Sequence, residues 1–308
     1  MQLPVLKLGT RRSPLALAQA EEAKALLLAA HPGLAIELVP VTASGDKVQD
    51  RPLAELGGKA LWTKELDAWL LAGEIDFAVH SLKDVETIRP AELTIAAILP
   101  REDVRDVLLG ATSLADLPPG ARIGTSAPRR AALALHLRPD CRVVGIRGNV
   151  QTRLAKLAAG EADATLLAKA GLNRLGQGDL GVPLDPAQWL PAPGQGAIAI
   201  ECLTADAETR ALLAKIDHLP SRQQVEAERA MLAALGGNCH SAVAVLSTFE
   251  HGQLSLKAVL LSEDGAERVD AQLSFTAGDA YGPRELAARL LSQAGPAIRA
   301  LFDPPDGP

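Results

Sequence analysis

Aromatic residues are scarce in this sequence, with four Phe, three Trp and one Tyr among 308 residues. That scarcity argues against the stacking platforms on which proteins bind single-stranded nucleic acid or sugar rings. A net charge of −6 argues against a nucleic-acid partner as well. Cysteine is scarcer still: Cys141, Cys202 and Cys239 are odd in number and 61 and 37 residues apart, which suits neither a disulfide framework nor the close pairs of a metal knuckle. Long apolar runs are missing too. Nothing approaches the ~20 residues of a membrane span, and residues 1–12 hold no uninterrupted apolar segment of signal-peptide length. The expectation is a cytosolic protein with no membrane segment, no metal site and no disulfide.

What is present is a globular composition, 48% hydrophobic and 22% charged. At roughly 150 residues per domain the length suggests two or three units with clefts between them. Charge is uneven along the chain. Residues 101–174 carry ten Arg and two Lys against seven acids, a net +5, so the remainder carries −11. Arginine also outnumbers lysine by 21 to 10. A guanidinium fork pairs with carboxylate or phosphate through two hydrogen bonds, so the cluster reads either as a solvated basic surface or as the seat of a small anionic ligand.

Strands and helices alternate through the first two hundred residues. Residues 5–9 read as a strand, after which Ser13 and Pro14 open an Ala/Leu-rich helix that stops at His31-Pro32-Gly33. Residues 35–41 form a second strand. A loop through Gly57-Gly58-Lys59 leads to a helix bearing Trp62, Leu66, Trp69 and Leu70, and residues 75–79 form a strand that delivers His80-Ser81-Leu82-Lys83-Asp84. The pattern then starts afresh from about residue 103. Strands at 122–124, 143–146 and 164–168 are followed by Thr125-Ser126-Ala127-Pro128, Arg147-Gly148-Asn149 and Gly171-Leu172-Asn173-Arg174. Both halves open with strand, Gly-Thr, a hydroxyl residue, Pro and helix, which implies two α/β lobes of related design. The last seventy residues read as a helix at 221–235, strands at 242–249, 254–261 and 268–275, and a helix at 283–301, a small α+β domain. The expected domains are 1–99 with 197–216, then 103–191, then 217–308.

Ligands of open α/β sheets bind beyond the carboxyl ends of strands, where helix amino termini offer unpaired N–H groups. Each segment just quoted sits at such a point, and two lobes facing one another would gather them in one cleft. Ser13, Thr125 and Ser126 have a plainer reading as helix caps. Arg129 and Arg130 do not: in a first helical turn they oppose the macrodipole, so they lack a local stability reason that an anionic ligand would supply. Asp84 is a lone acid beside Lys83 and His80, either a capping carboxylate or a group that stabilises a cation or shuttles a proton. Cys239, in the loop Gly236-Gly237-Asn238-Cys239-His240, is a candidate attachment point, whereas Cys141 and Cys202 look like core.

Taken together and in order, Thr10-Arg11-Arg12-Ser13-Pro14, Gly57-Gly58-Lys59, His80-Ser81-Leu82-Lys83-Asp84, Gly124-Thr125-Ser126 with Arg129-Arg130, Arg147-Gly148-Asn149 with Arg153, Arg174-Leu175-Gly176, Gly194-Gln195-Gly196 and Cys239 resemble the porphobilinogen deaminase (hydroxymethylbilane synthase) family. The resemblance implies two lobes like those of periplasmic binding proteins, hinged near 99–103 and 191–197, plus a small α+β domain. It implies a monomeric enzyme of tetrapyrrole biosynthesis that joins four porphobilinogen molecules head to tail with loss of ammonia, on a dipyrromethane cofactor bound by a thioether, here to Cys239. It assigns Asp84 to the azafulvenium cation left when ammonia departs. Ser13, Lys59, Ser81, Lys83, Thr125, Ser126, Arg129 and Arg130 would hold the cofactor, and Arg11, Arg147, Arg153 and Arg174 the substrate and growing chain. Ala127-Pro128, Trp62, Glu86, Asn238 and the run His240-Ser241-Ala242 depart from the family's usual residues. The loop at 42–60 is expected to act as a lid. The competing reading is a non-catalytic two-lobed anion receptor in which Cys239 is structural.

Overall fold

The computed structural model describes residues 5–41, 63–237 and 241–302; Lys59, Trp62, Asn238, Cys239, His240 and the expected lid at 42–60 lie outside them. The chain forms two compact units, 1–102 with 196–222, and 103–195 with 223–308. Their boundaries at 102/103 and 195/196 fall in or beside the segments expected to be hinges.

The first unit is built on a five-stranded sheet. Strands β1 (Val5–Arg11), β2 (Ala35–Val41) and β3 (Phe77–Ser81) run parallel in the order β2-β1-β3, and β10 (Ile198–Leu203) lies antiparallel between β3 and β4 (Leu93–Ile98). The helix Pro14–Ala30 covers one face because Ala20, Ala23 and Leu27 recur at three- and four-residue spacing and meet Leu6, Leu8, Ile36 and Phe77 in one core. Ser13 caps this helix, its Oγ accepting from Ala16 N–H at 3.3 Å.

The second unit repeats the plan. Strands β6 (Arg122–Gly124), β7 (Arg142–Val144) and β8 (Ala164–Ala168) are parallel in the order β7-β6-β8, and β5 (Asp106–Leu109) lies antiparallel between β8 and β9 (Val182–Pro183). The shared Gly-Thr has a packing reason. Gly9 and Gly124 leave no room for a Cβ, which would strike the side chains of Ile75 and Ile146 respectively, while Thr10 and Thr125 are buried beside them. Corresponding strand ends therefore pack against an isoleucine in each unit.

A third sheet, of antiparallel strands β11 (Val243–Glu250), β12 (Gln253–Leu261) and β13 (Arg268–Thr276), belongs to the same unit. Its strands β11 and β12 are buried on both faces. Val245, Leu256 and Leu260 pack with Met231, Leu235, Leu286 and Leu290, and Ala244, Val259 and Leu261 enter the core of the second five-stranded sheet with Ile123, Leu133 and Trp189. The helix expected at 283–301 is two helices, Tyr281–Gln293 and Pro296–Arg299, because Pro296 cannot continue a helix from Gly295. Among the described residues no helix is long and apolar enough to cross a membrane.

Candidate functional site

In the first unit the expected residues gather where β1 and β3 end. β3 runs to Ser81, two residues further than its sequence pattern suggests, and a single 3-10 turn, Leu82–Asp84, follows. Arg11, Ser13, Gln19, His80, Ser81 and Asp84 line one pocket. Gln19, not expected from the sequence, reaches from its helix to exchange hydrogen bonds with Ser81, its Nε2 donating to Oγ at 2.9 Å and its Oε1 accepting from it at 3.0 Å. Asp84 is half-buried in this pocket, and among the described residues its side chain makes no hydrogen bond or ion pair. A partly desolvated carboxylate with no internal partner is poised to hold an N–H donor or a positive charge on a ligand. Lys83 is half-buried on the same turn but is not among the pocket-lining residues.

Behind the pocket lies an ionic network that sequence reading missed. Glu201 of β10 is fully buried, and both its oxygens accept from Arg89, from Nε and Nη2 at 2.8 Å each. His80 Nε2 stands 3.5 Å from Glu201 Oε2. Burial pushes the Glu201 carboxyl up, but attraction from His80 and Arg89 outweighs it and holds the group at about 2. Asp67, which accepts from Arg89 Nη2 at 2.6 Å, is raised because burial dominates there. A depressed carboxyl stabilises the fold above its unfolded value near 4.3 and loses that contribution as pH falls toward its folded value. Asp67 acts in the opposite sense and offsets part of it. The first unit is therefore expected to lose about 3 kcal/mol or less from Glu201 between about pH 4.5 and 2. Denaturant midpoints measured across that range should fall steeply in the wild type and be flatter in Glu201→Gln; parallel profiles would contradict the assignment.

In the second unit the arginines divide into two groups. Arg129 and Arg130, 4% and 5% exposed, do have a structural partner: Asp106 on β5, fully buried. Asp106 accepts from Arg129 Nη2 at 2.6 Å, Arg130 Nη2 at 2.7 Å, Trp189 Nε1 at 2.8 Å and Gln195 Nε2 at 2.9 Å. Arg130 Nε also donates to Asp106 Oδ2 at 3.3 Å, and Nη1 of each arginine reaches backbone, Arg129 to Leu190 O and Arg130 to Leu166 O. Burial pushes Asp106 up, yet the two guanidinium charges and hydrogen bonds from Arg130 and Trp189 overrule it and hold the carboxyl far below the usual range. The anion that the pair lacks within its own helix, expected to come from a ligand, is supplied by the fold itself. Two cations against one carboxylate still leave one positive charge in excess.

The hydroxyls differ from expectation as well. Neither Thr125 nor Ser126 caps the helix Pro128–Leu137, whose N-cap is Ala127 with no side-chain bond. Thr125 Oγ1 accepts from Ala127 N–H at 3.1 Å and Ser126 Oγ donates to Ile146 O at 3.1 Å, so both shape the loop itself. The second group of arginines sits nearer solvent. Arg147 follows β7 and is half-buried, its guanidinium drawn down by burial. Arg153 lies on the helix Val150–Ala158, its Nε donating to Gly148 O at 2.9 Å, and Arg174 ends the helix Lys169–Arg174. Cys141 and Cys202 are core, 5% and 0% exposed, with thiols raised by burial.

Residues 6–211 match the family model described as "Porphobilinogen deaminase, dipyromethane cofactor binding domain", and residues 222–292 match "Porphobilinogen deaminase, C-terminal domain". The chain belongs to the porphobilinogen deaminase family. It is 57% identical over 306 residues to the porphobilinogen deaminase of Sphingopyxis alaskensis, covering 96% of each chain. Among solved structures it is similar to the periplasmic VFT2 domain of BvgS from Bordetella pertussis, 19% identical with a TM-score of 0.40 over 69% of this chain and 86% of that one. It is also similar to the aliphatic sulphonate binding protein SsuA from Escherichia coli, 16% identical with a TM-score of 0.39 over 75% and 70%.

The residues present fit the cofactor of this deaminase family. A dipyrromethane offers pyrrole N–H donors and several carboxylates. Unit 1 provides one unpartnered carboxylate, Asp84, among a guanidinium and hydroxyls. Unit 2 provides a buried arginine pair with one charge in excess, and arginines at strand and helix ends.

Proposed function

We propose that this chain is a working hydroxymethylbilane synthase, condensing four porphobilinogen molecules head to tail with release of ammonia, in tetrapyrrole biosynthesis. The observation that carries this reading is the half-buried carboxylate of Asp84, without a partner among the described residues, in a pocket lined with donors. Asp84 accepts from the pyrrole N–H of porphobilinogen and faces the positive charge that develops on its methylene carbon as ammonia leaves. An aligned carboxylate in a partly dry site stabilises such charge by several kcal/mol, because it is already oriented before the charge appears.

When bound, the dipyrromethane supplies the free pyrrole α-position that primes chain growth. Cys239 is its attachment point on the strength of the family resemblance. Ser13, Lys59, Ser81, Lys83, Thr125, Ser126, Arg129 and Arg130 are the residues we assign to its carboxylates and ring nitrogens. Arg129 and Arg130 act as a rigid pair, since Asp106 fixes their forks before any ligand arrives. Arg11, Arg147, Arg153 and Arg174 bind the acetate and propionate groups of incoming substrate and product chain. Their forks match carboxylates, and charge-assisted pairs of this kind are the stronger hydrogen bonds. The protein acts in the cytoplasm as a monomer, without nucleic-acid or membrane partners, in this reading.

Intact mass of the purified chain is expected to exceed that of the bare polypeptide by a covalent dipyrromethane, and acid-treated protein should give a positive colour reaction with an aldehyde reagent for pyrroles. A bare polypeptide mass with no colour would favour a non-catalytic anion receptor instead.

A further inference from the structure

Asp84 depends on a short turn. Leu82–Asp84 spans three residues, with no side-chain cap. Its entry is held by Leu82 N–H to Ala197 O at 3.0 Å, and Val85 N–H closes it onto Leu82 O at 3.0 Å. Beyond it the chain has no helix or strand until Leu93.

The exit of the turn is held by Arg89. Glu86, two residues past Asp84, accepts from Arg89 Nη1 at 2.5 Å and from Thr63 Oγ1 at 3.0–3.1 Å. The same guanidinium grips both oxygens of Glu201 on β10 and reaches Asp67 on the helix Lys64–Leu71. One side chain, 9% exposed, thus joins the segment after Asp84 to a helix and a central strand while belonging to neither. Entry and exit of the turn are both referred to the chain at β10, through Ala197 and through Glu201.

Three carboxylates around one buried cation is a costly way to obtain stability alone, since desolvating charges consumes much of their attraction. Its distinctive product is geometry, because a planar fork with fixed donors sets both distance and angle.

We propose that Arg89 is a positioning residue for Asp84: through Glu86 it fixes the exit of the 82–84 turn and so the direction in which the carboxylate faces the pocket. The proposal rests on the reading of Asp84 as the carboxylate at the reacting centre.

The test compares two arms of one guanidinium in the cofactor-loaded enzyme. The side chains of Glu86 and Asp67 are similarly buried, 21% and 14% exposed, so truncation of either should cost similar stability. Glu86→Ala is expected to lower kcat between about ten- and hundredfold, the scale of a small misplacement at a reacting centre, with KM within about twofold. Intact mass should show unchanged cofactor loading. Asp67→Ala is expected to keep kcat within about twofold of wild type. Equal effects of the two variants, or a change in KM alone, would overturn the proposal. Arg89→Lys keeps the charge without the fork and should reproduce the kcat loss with loading intact; wild-type kcat in that variant would also overturn it. A wild-type chain that releases no ammonia from porphobilinogen and carries no pyrrole would refute the functional reading itself, whereas an active wild type with equal Glu86 and Asp67 variants would refute only the positioning role.

Discussion

Asp84→Ala is expected to leave the fold intact and abolish nearly all turnover. Among the described residues the side chain has no hydrogen bond or ion pair to lose, so its removal should change stability by no more than about 0.5 kcal/mol, as for surface substitutions away from special features. Its removal from the pocket is another matter. Loss of one preorganised group aimed at developing charge typically lowers kcat by about 10²–10³-fold, roughly 3–4 kcal/mol of barrier. Ammonia release at saturating porphobilinogen, measured beside the thermal midpoint, separates the two quantities. Wild-type turnover in the variant would remove Asp84 from the chemistry, and a midpoint lowered by many degrees would show that it has a structural duty as well.

Asp106→Ala should do the reverse, with its largest effect on stability. It strands two guanidinium groups that are 4% and 5% exposed, and leaves Trp189 Nε1 and Gln195 Nε2 without this acceptor. Breaking a buried ion pair from one side costs about 3–5 kcal/mol. At about 2–4 °C per kcal/mol for a unit of this size, the thermal midpoint should fall by about 6–20 °C. Differential scanning calorimetry of purified variant and wild type checks it. A shift under about 2 °C would mean that water or another anion already compensates the arginines. Arg129 and Arg130 would then have to be regarded as ligand sites with little structural duty.

These two aspartates also mark what could and could not be read from the sequence. The place of Asp84 was legible because the pattern that marks it is local: a strand, a turn and the neighbouring Lys83 and His80 lie within five residues, whereas the pocket around it draws on Arg11, Ser13 and Gln19. Asp106 was not, because its meaning comes from side chains 23, 24, 83 and 89 residues away. The macrodipole argument rightly found that Arg129 and Arg130 lack a reason within their own helix. It could not say that the required anion comes from an antiparallel neighbour in the same unit. Glu201 did leave a trace, as the one charge in the otherwise apolar β10, though its partner Arg89 lies 112 residues earlier. Helix and strand identities were recovered well wherever apolar periodicity was strong. Boundaries slipped where backbone chemistry decided them, as at Ser81, which pairs with Ile198 instead of leaving the sheet, and at Gly295-Pro296.

The sheet of the first unit also constrains the order in which the chain can fold as it is made. Among the described residues β4 hydrogen-bonds only to β10 in that sheet, and β10 also covers the edge of β3. When the ribosome has delivered residues 1–102, β3 and β4 therefore wait with unpaired edges for a strand still a hundred residues from synthesis. At about 5–20 residues per second that wait lasts roughly 5–20 seconds. During it the second unit's β5, β6, β7, β8 and β9, all encoded before residue 184, are already available to pair. Of the two five-stranded sheets, the one begun first is thus the one completed last, and the nascent chain's exposed edges are where chaperone protection matters most.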